Sequence, residues 1–386
     1  MKKKLLIISI LSFLLLSLSG CSAGTLTKPE KTNAVINDGA TPLAASTASA
    51  KNNTSSTSAI NVNTFTGTNS RLMGRFDRNT NGQAKFTWPG STLEFRFEGS
   101  KASINIASQT RVRFVVNLDG NPRDLWIEPG NHTYVLAANI GSGIHTVQLT
   151  RVSESSAGIT SFISDPHVIG TLLKPPQAPQ KRLLVIGDSI TAGYGVEGAN
   201  ERCHYALDNS NQQLTYSALA ASRLGADLHT IAWSGIGAWR TYGEKTPASP
   251  TILTRSTRTL ADDATSVWNP SQYMPDAILI NIGTNDYWDG SATAEYQLGM
   301  KNLIAKVQSD YPGKPIYLIV SPMLTNKIHE SQKQVLGTLT SNKVKLLDLI
   351  PNDGTEGLGC DYHPNTTTHT RLSKALEKTL KIDLHW

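Results

Sequence analysis

The chain has 386 residues, of which 39% are hydrophobic and 17% charged. That is a globular composition on a chain too long for one ordinary core, so two domains are expected. The formal charge of +6 includes Lys2, Lys3 and Lys4 of an N-terminal targeting segment; without them it is 6 − 3 = +3, which gives no reason to expect a nucleic-acid partner.

Residues 1–20 read as an export signal. Lys2 to Lys4 form a positive n-region, and residues 5–18 form an apolar stretch shorter than a membrane span. Leu18-Ser19-Gly20-Cys21 resembles the bacterial lipoprotein box, in which Cys21 becomes the lipidated first residue of the mature protein. The alternative is ordinary secretory cleavage with Cys21 incidental. The lipoprotein reading implies an exported bacterial protein anchored to a membrane without spanning it, and Ser22 leans towards outer-membrane sorting in a Gram-negative host. Residues 21–60 are Ser, Thr, Ala and Asn with few large apolar side chains, which predicts a disordered tether.

Residues 61–173 carry short β signals. Alternation at 92–97 and 102–106, a run at 112–118 closed by Asp119-Gly120, and runs at 133–137 and 145–152 predict a β-sandwich of the jelly-roll kind. Trp88 and Trp126 are read as core in preference to a sugar platform. Residues 174–180, Lys-Pro-Pro-Gln-Ala-Pro-Gln, read as a stiff linker. From 181 to 386, apolar strand runs at 183–186, 228–232, 277–282, 316–320 and 345–349 alternate with helical periods at 212–224, 294–309, 330–340 and 368–381. This predicts a three-layer, doubly wound α/β domain with a parallel five-stranded sheet.

The chemistry gathers at the ends of those strands. The first run leads into Gly187-Asp188-Ser189, which sets a hydroxyl at the carboxyl edge of the sheet, where open α/β sheets bind ligands. Serine needs a base for its proton and donors for the oxyanion that forms. His363, in Asp361-Tyr362-His363-Pro364-Asn365 before the last helix, is the candidate base. Trp233-Ser234-Gly235 follows the second strand and Gly283-Thr284-Asn285-Asp286 the third. The backbone N–H groups of Ser189 and Gly235 and the Asn285 side-chain amide are the candidate oxyanion donors.

These four blocks resemble those of the SGNH (GDSL-type) hydrolases. The preceding β-sandwich, Gly74-Arg75-Phe76-Asp77, Trp-Ser-Gly at 233–235 and the words around His363 resemble carbohydrate esterase family two, from about residue 61 to the end. The resemblance implies removal of O-acetyl groups from a polysaccharide or oligosaccharide, often at the six-hydroxyl, through an acetyl-serine and without a cofactor. No Cys/His cluster has zinc-ligand spacing. Many members of the superfamily carry Asp three residues before the His, where this chain has Cys360. Asp361 is therefore the expected orienter of His363, by its carboxylate or by its backbone carbonyl.

Cys203 and Cys360 lie in loops after catalytic blocks, and in an exported protein a disulfide between them would pin the His363 loop; two free thiols are the alternative. Trp239, Tyr242, Tyr287 and Trp288 are candidate substrate-binding aromatics, and Met323 stands where family members can carry a further aromatic. A lipase, aryl esterase or thioesterase could use the same blocks, as could an inactive carbohydrate-binding surface lipoprotein. A monomer is the default expectation.

Overall fold

The computed structural model describes residues 64–78, 82–290, 294–351 and 354–386. The export signal, Cys21 and the tether read at 21–60 lie outside them.

The first domain among the described residues is a nine-stranded antiparallel sheet. Its strands are β1 (Ser70–Met73), β2 (Ala84–Phe86), β3 (Thr92–Ser108), β4 (Val112–Leu118), β5 (Asn121–Ile127), β6 (Gly130–Ala137), β7 (Ile144–Arg151), β8 (Thr160–Phe162) and β9 (His167–Leu173). The two alternating runs expected at 92–97 and 102–106 form one strand, β3, with a register shift against β9 between Gly99 and Lys101. Its first half pairs with β1 and β7, its end with β6 and β8, so one long strand serves both parts of the sheet. Inside lies a phenylalanine cluster in which Phe86 contacts Phe162 at 4.7 Å and Phe76 at 4.9 Å between ring centroids.

The second domain is a five-stranded sheet of β10 (Lys181–Gly187), β11 (Ala226–Ala232), β12 (Ala277–Asn281), β13 (Ile316–Val320) and β14 (Val344–Asp348). All pairs are parallel, in the order β11-β10-β12-β13-β14. The helices are α1 (Ser189–Ala192), α2 (Tyr216–Leu224), α3 (Ile252–Ser256), α4 (Ala294–Asp310), α5 (Asn326–Gly337) and α6 (Thr366–Leu384). The inner strands are buried on both faces, which is why they read as continuous apolar runs. Leu184, Ile186, Ile278 and Ile280 pack with Met300 and Leu303 of α4, while Leu183, Val185 and Leu279 pack with Leu372, Leu376 and Leu380 of α6. The helical period read at 212–224 divides into a single 3₁₀ turn and α2, because Thr215 is extended and caps α2 with its hydroxyl on Ala218 N.

The two domains share a polar and apolar seam. Arg75, of the Gly-Arg-Phe-Asp run, donates from Nη1 to Ser256 O at 2.6 Å and Arg258 O at 2.7 Å, with its guanidinium 4.8 Å from the Trp268 ring centroid. Gly74 N donates to His229 Nε2 at 2.9 Å. Arg113 of β4 meets Glu197 at 2.5 Å. Trp88 is buried, but in the core of the α/β domain, so this tryptophan belongs to the seam and not to a sandwich interior. Trp126 is half-buried beneath the Arg111 guanidinium, 4.3 Å from its ring centroid.

Candidate active site

The strand order puts the carboxyl ends of β11, β10 and β12 side by side, at the point where the winding direction reverses. Ser189 follows β10, Gly235 follows β11 and Asn285 follows β12, so three segments distant in sequence meet at one edge. They line a cavity of about 550 Å³ together with Tyr194, Ser234, Tyr242, Thr284, Tyr287, Trp288, Met323, Leu324, Ile328, Asp361 and His363.

Ser189 begins the single turn of α1, whose cap Asp188 accepts from Ile190 N at 3.0 Å. Asp188 is fully buried, and loss of solvent pushes its carboxyl up to about 7. His363 reaches over this turn, and its Nε2 lies 2.8 Å from Ser189 Oγ. Its Nδ1 lies 3.1 Å from both Cys360 O and Asp361 O, so two backbone carbonyls face the second ring nitrogen. The tautomer that donates from Nδ1 leaves Nε2 as an acceptor for the serine proton. Burial holds the His363 imidazole below its ordinary pKa, against the opposing pull of those carbonyls and of the Asp361 charge.

The Asp361 carboxylate goes elsewhere. It accepts from Tyr194 Oη at 2.7 Å, lies 2.7 Å from His204 Nδ1, and accepts from Tyr205 N at 3.3 Å. Of the two ways in which Asp361 was expected to orient His363, the carbonyl is the one in contact. The cause is local backbone. Asp361 and Tyr362 both take left-handed conformations, with φ of 50° and 64°, which turns a carbonyl towards the ring. The loop is tied down by Cys360 N on Gly195 O at 3.1 Å, by Asp361 N on Cys203 O at 3.0 Å, and by a Cys203–Cys360 disulfide. A side chain at Gly195 would put its Cβ 2.7 Å from Cys360 Cβ, so only glycine admits this approach.

On the other side, Gly235 has φ of 81°, a conformation natural to glycine, and it leads into a loop gripped by the third block. Asn285 donates from Nδ2 to Ile236 O at 2.8 Å, which engages one of its two amide hydrogens. Asp286 accepts from the backbone N–H groups of Ala238, Trp239 and Arg240 at 2.8–3.2 Å. Burial raises the Asp286 carboxyl, opposed by those amides and by Arg240.

Of the aromatic candidates, Tyr242, Tyr287 and Trp288 line the cavity; Trp239 does not, and its ring packs against Arg240 at 4.6 Å. Tyr287 is buried and packs edge-on against Tyr296 at 5.2 Å, whereas Tyr242 is 66% exposed beside Trp288. Tyr194 was not among the sequence candidates. It stacks on His363 with centroids 4.3 Å apart, and its place five residues after Ser189, just beyond a one-turn helix, was the available signal. Leu324 and Ile328 were also missed; like the other blocks they follow a parallel strand, here β13. Among the described residues no group of three or more His, Cys, Asp or Glu side chains is placed to hold a metal ion, and no helix is long and apolar enough to cross a membrane.

Comparison with known proteins gives the chain its family. Residues 72–176 match the carbohydrate esterase 2 N-terminal model, and residues 185–371 match the GDSL-like lipase/acylhydrolase family. The chain is 32% identical over 322 residues to the cellulase/esterase CelE of Acetivibrio thermocellus; this covers 81% of the chain but only 39% of that larger protein. An acetylxylan esterase/glucomannan deacetylase of Cellvibrio japonicus is 26% identical over 326 residues, 82% of this chain and 89% of that protein. The solved structure of a family two carbohydrate esterase from Clostridium thermocellum, in complex with cellohexaose, superposes with a TM-score of 0.78 at 31% identity, covering 82% of this chain and 99% of that one. With both domains matched and one family member aligned over nearly its whole length, the chain belongs to carbohydrate esterase family two.

Proposed function

We propose that this protein is a serine esterase that removes O-acetyl groups from a polysaccharide or oligosaccharide, with the six-hydroxyl as the preferred position. The observation that carries the reading is the 2.8 Å contact between Ser189 Oγ and His363 Nε2 at a cavity also lined by Gly235 and Asn285. His363 takes the Ser189 proton as Oγ attacks the acetyl carbonyl. The oxyanion accepts from the N–H groups of Ser189 and Gly235 and from the second amide hydrogen of Asn285; losing one such donor costs about 3 kcal/mol of transition-state stabilisation. His363 then passes its proton to the departing sugar oxygen, leaving acetyl-Ser189. A water, deprotonated by His363, releases acetate and restores the serine. Tyr242 and Trp288 form an aromatic rim suited to a pyranose face. We take the nine-stranded domain as a jelly-roll sandwich that buttresses this site. The Cellvibrio relative, described as an acetylxylan esterase/glucomannan deacetylase, supports the substrate class.

The deciding measurement is acetate release from a 6-O-acetylated hexopyranoside beside hydrolysis of a long-chain aryl ester, for the protein and for Ser189→Ala. Sugar deacetylation lost by at least about 10⁴-fold in the variant is expected. Turnover of the long-chain ester alone would move the function to lipid hydrolysis. Sugar binding without Ser189-dependent release of any acyl group would leave only a binding protein.

We further propose that Cys21 is lipidated and holds the enzyme at a bacterial membrane. Radiolabelled palmitate fed to expressing cells should mark the protein and leave Cys21→Ala unmarked. Label in neither would leave a simply secreted enzyme.

A further inference from the structure

The turn that leads from β11 to Gly235 is held from the other domain. Ser155 Oγ donates to Ala232 O, the last residue of β11, at 2.9 Å. Its neighbour Glu154 accepts through Oε1 from Ser234 Oγ, on the residue before Gly235. Glu154 and Ser155 lie just after β7, so two consecutive residues of the β domain grip both ends of the 232–234 turn. Glu154 is 3% exposed, and its main-chain carbonyl accepts from Nη2 of the fully buried Arg151 at 2.8 Å. Arg151 is fixed in turn by Nη1 donating to Gly158 O at 2.8 Å and Thr160 Oγ1 at 3.1 Å. A buried carboxyl is costly to keep, and Glu154 Oε2 makes no hydrogen bond with the described protein atoms. Sequestering it for the sake of contacts with a single serine, Ser234, is hard to explain by stability alone.

We infer that Glu154 is a positioning residue of the esterase: through Ser234 it holds the Gly235 amide where the oxyanion forms, so that the β domain supplies part of the catalytic geometry. The inference rests on the reading of Gly235 as an oxyanion donor. Burial pushes the Glu154 carboxyl up to about 7; the Ser234 hydrogen bonds and Arg151 oppose the rise, and Asp188 adds to it. Glutamine, which keeps the size and the acceptor oxygen, is therefore a close stand-in near neutral pH.

The test compares the full-length protein with Ser234→Ala, Glu154→Ala, Glu154→Gln and the double alanine variant. It uses 4-nitrophenyl acetate turnover and the rate of Ser189 modification by a 4-nitrophenyl alkylphosphonate. Both probes release nitrophenolate whatever the natural substrate is. Each single alanine variant should lose about 10–100-fold in kcat and in the modification rate, with KM within about threefold. The double variant should be no slower than the slower single one, since the hydroxyl contact that Ser234→Ala removes is among those that Glu154→Ala removes. Glu154→Gln should stay within about threefold of wild type in both rates. Wild-type kcat in Ser234→Ala, a loss confined to KM or to thermal stability, or losses that multiply in the double variant would each overturn the inference; Ser234→Ala and Glu154→Gln decide it if Glu154→Ala does not fold. Absence of Ser189-dependent release from the unmutated protein would instead remove the serine-esterase reading and this inference with it.

Discussion

Replacing His363 by alanine is expected to lower kcat for acetyl-ester hydrolysis by at least about 10⁴-fold, whereas Asp361→Asn is expected to cost less than about tenfold. The asymmetry follows from which atoms face the imidazole. His363 Nδ1 lies 3.1 Å from the carbonyls of Cys360 and Asp361, and neither carbonyl is altered by a change of side chain at 361. Asparagine tolerates the left-handed backbone that Asp361 adopts, so the carbonyl keeps its direction. What the variant gives up is the negative charge beside His204 and Tyr194, which acts on the His363 ring through space without a hydrogen bond to it. Stopped assays on purified variants of matched thermal stability would decide it, and a fall in Asp361→Asn comparable with that of His363→Ala would show that the carboxylate acts after all.

The same geometry sets a pH dependence. The base must be neutral to accept the serine proton, and burial disfavours the imidazolium, holding the His363 pKa below its ordinary 6.5. Activity should thus persist as pH falls past that value and decline only as His363 is finally protonated. The acid limb of the kcat/KM profile is expected below pH 6.5, and a limb above it would contradict this assignment of the base.

Removing the Cys203–Cys360 bridge, by reduction or by Cys203→Ser, is expected to be the costliest single change to stability among those considered. The bridge spans a sequence separation of 157. Closing so long a loop restricts the unfolded chain by up to about 5 kcal/mol in the chain-entropy treatment, with compact denatured states lowering the figure. Activity should suffer less, by about tenfold or under. The His363 loop keeps its backbone bonds from Cys360 N to Gly195 O and from Asp361 N to Cys203 O, and Gly359 N still donates to His363 O at 2.8 Å. Urea unfolding of oxidised and reduced protein measures the first effect; coincident transitions would mean that the bridge contributes nothing.

Much of the α/β domain could be read from the sequence, because its signals are local. Strands buried on both faces print as unbroken apolar runs, and the run at 316–320 coincides with β13 end to end. The β domain was less legible. The strand at 121–127 is largely exposed and that at 167–173 half-buried to exposed, so neither shows a clean alternation, and β2 and β8 have three residues each, too short for any period to show. In the site, Ser189, Gly235, Asn285 and His363 stood out because each is a polar or glycine-bearing word placed directly after a strand or before the last helix. Trp239 was expected only because the family resemblance implies an aromatic wall on the loop after Gly235, and it falls outside the cavity because Asp286 folds that loop back through three amides.

The sequence by itself determined the sheet, its order of strand and helix, and which residues stand at the reactive edge, since hydrophobic period and strand-end chemistry are written over a few neighbouring positions. Tertiary structure alone decided that two carbonyls and not a carboxylate face His363, and that the β domain grips the turn before Gly235. The first depends on two left-handed residues that a disulfide and Gly195 hold in place; the second depends on Glu154 meeting Ser234 across 80 residues of chain. Contacts of that range are fixed by how whole domains pack, and no local pattern encodes them.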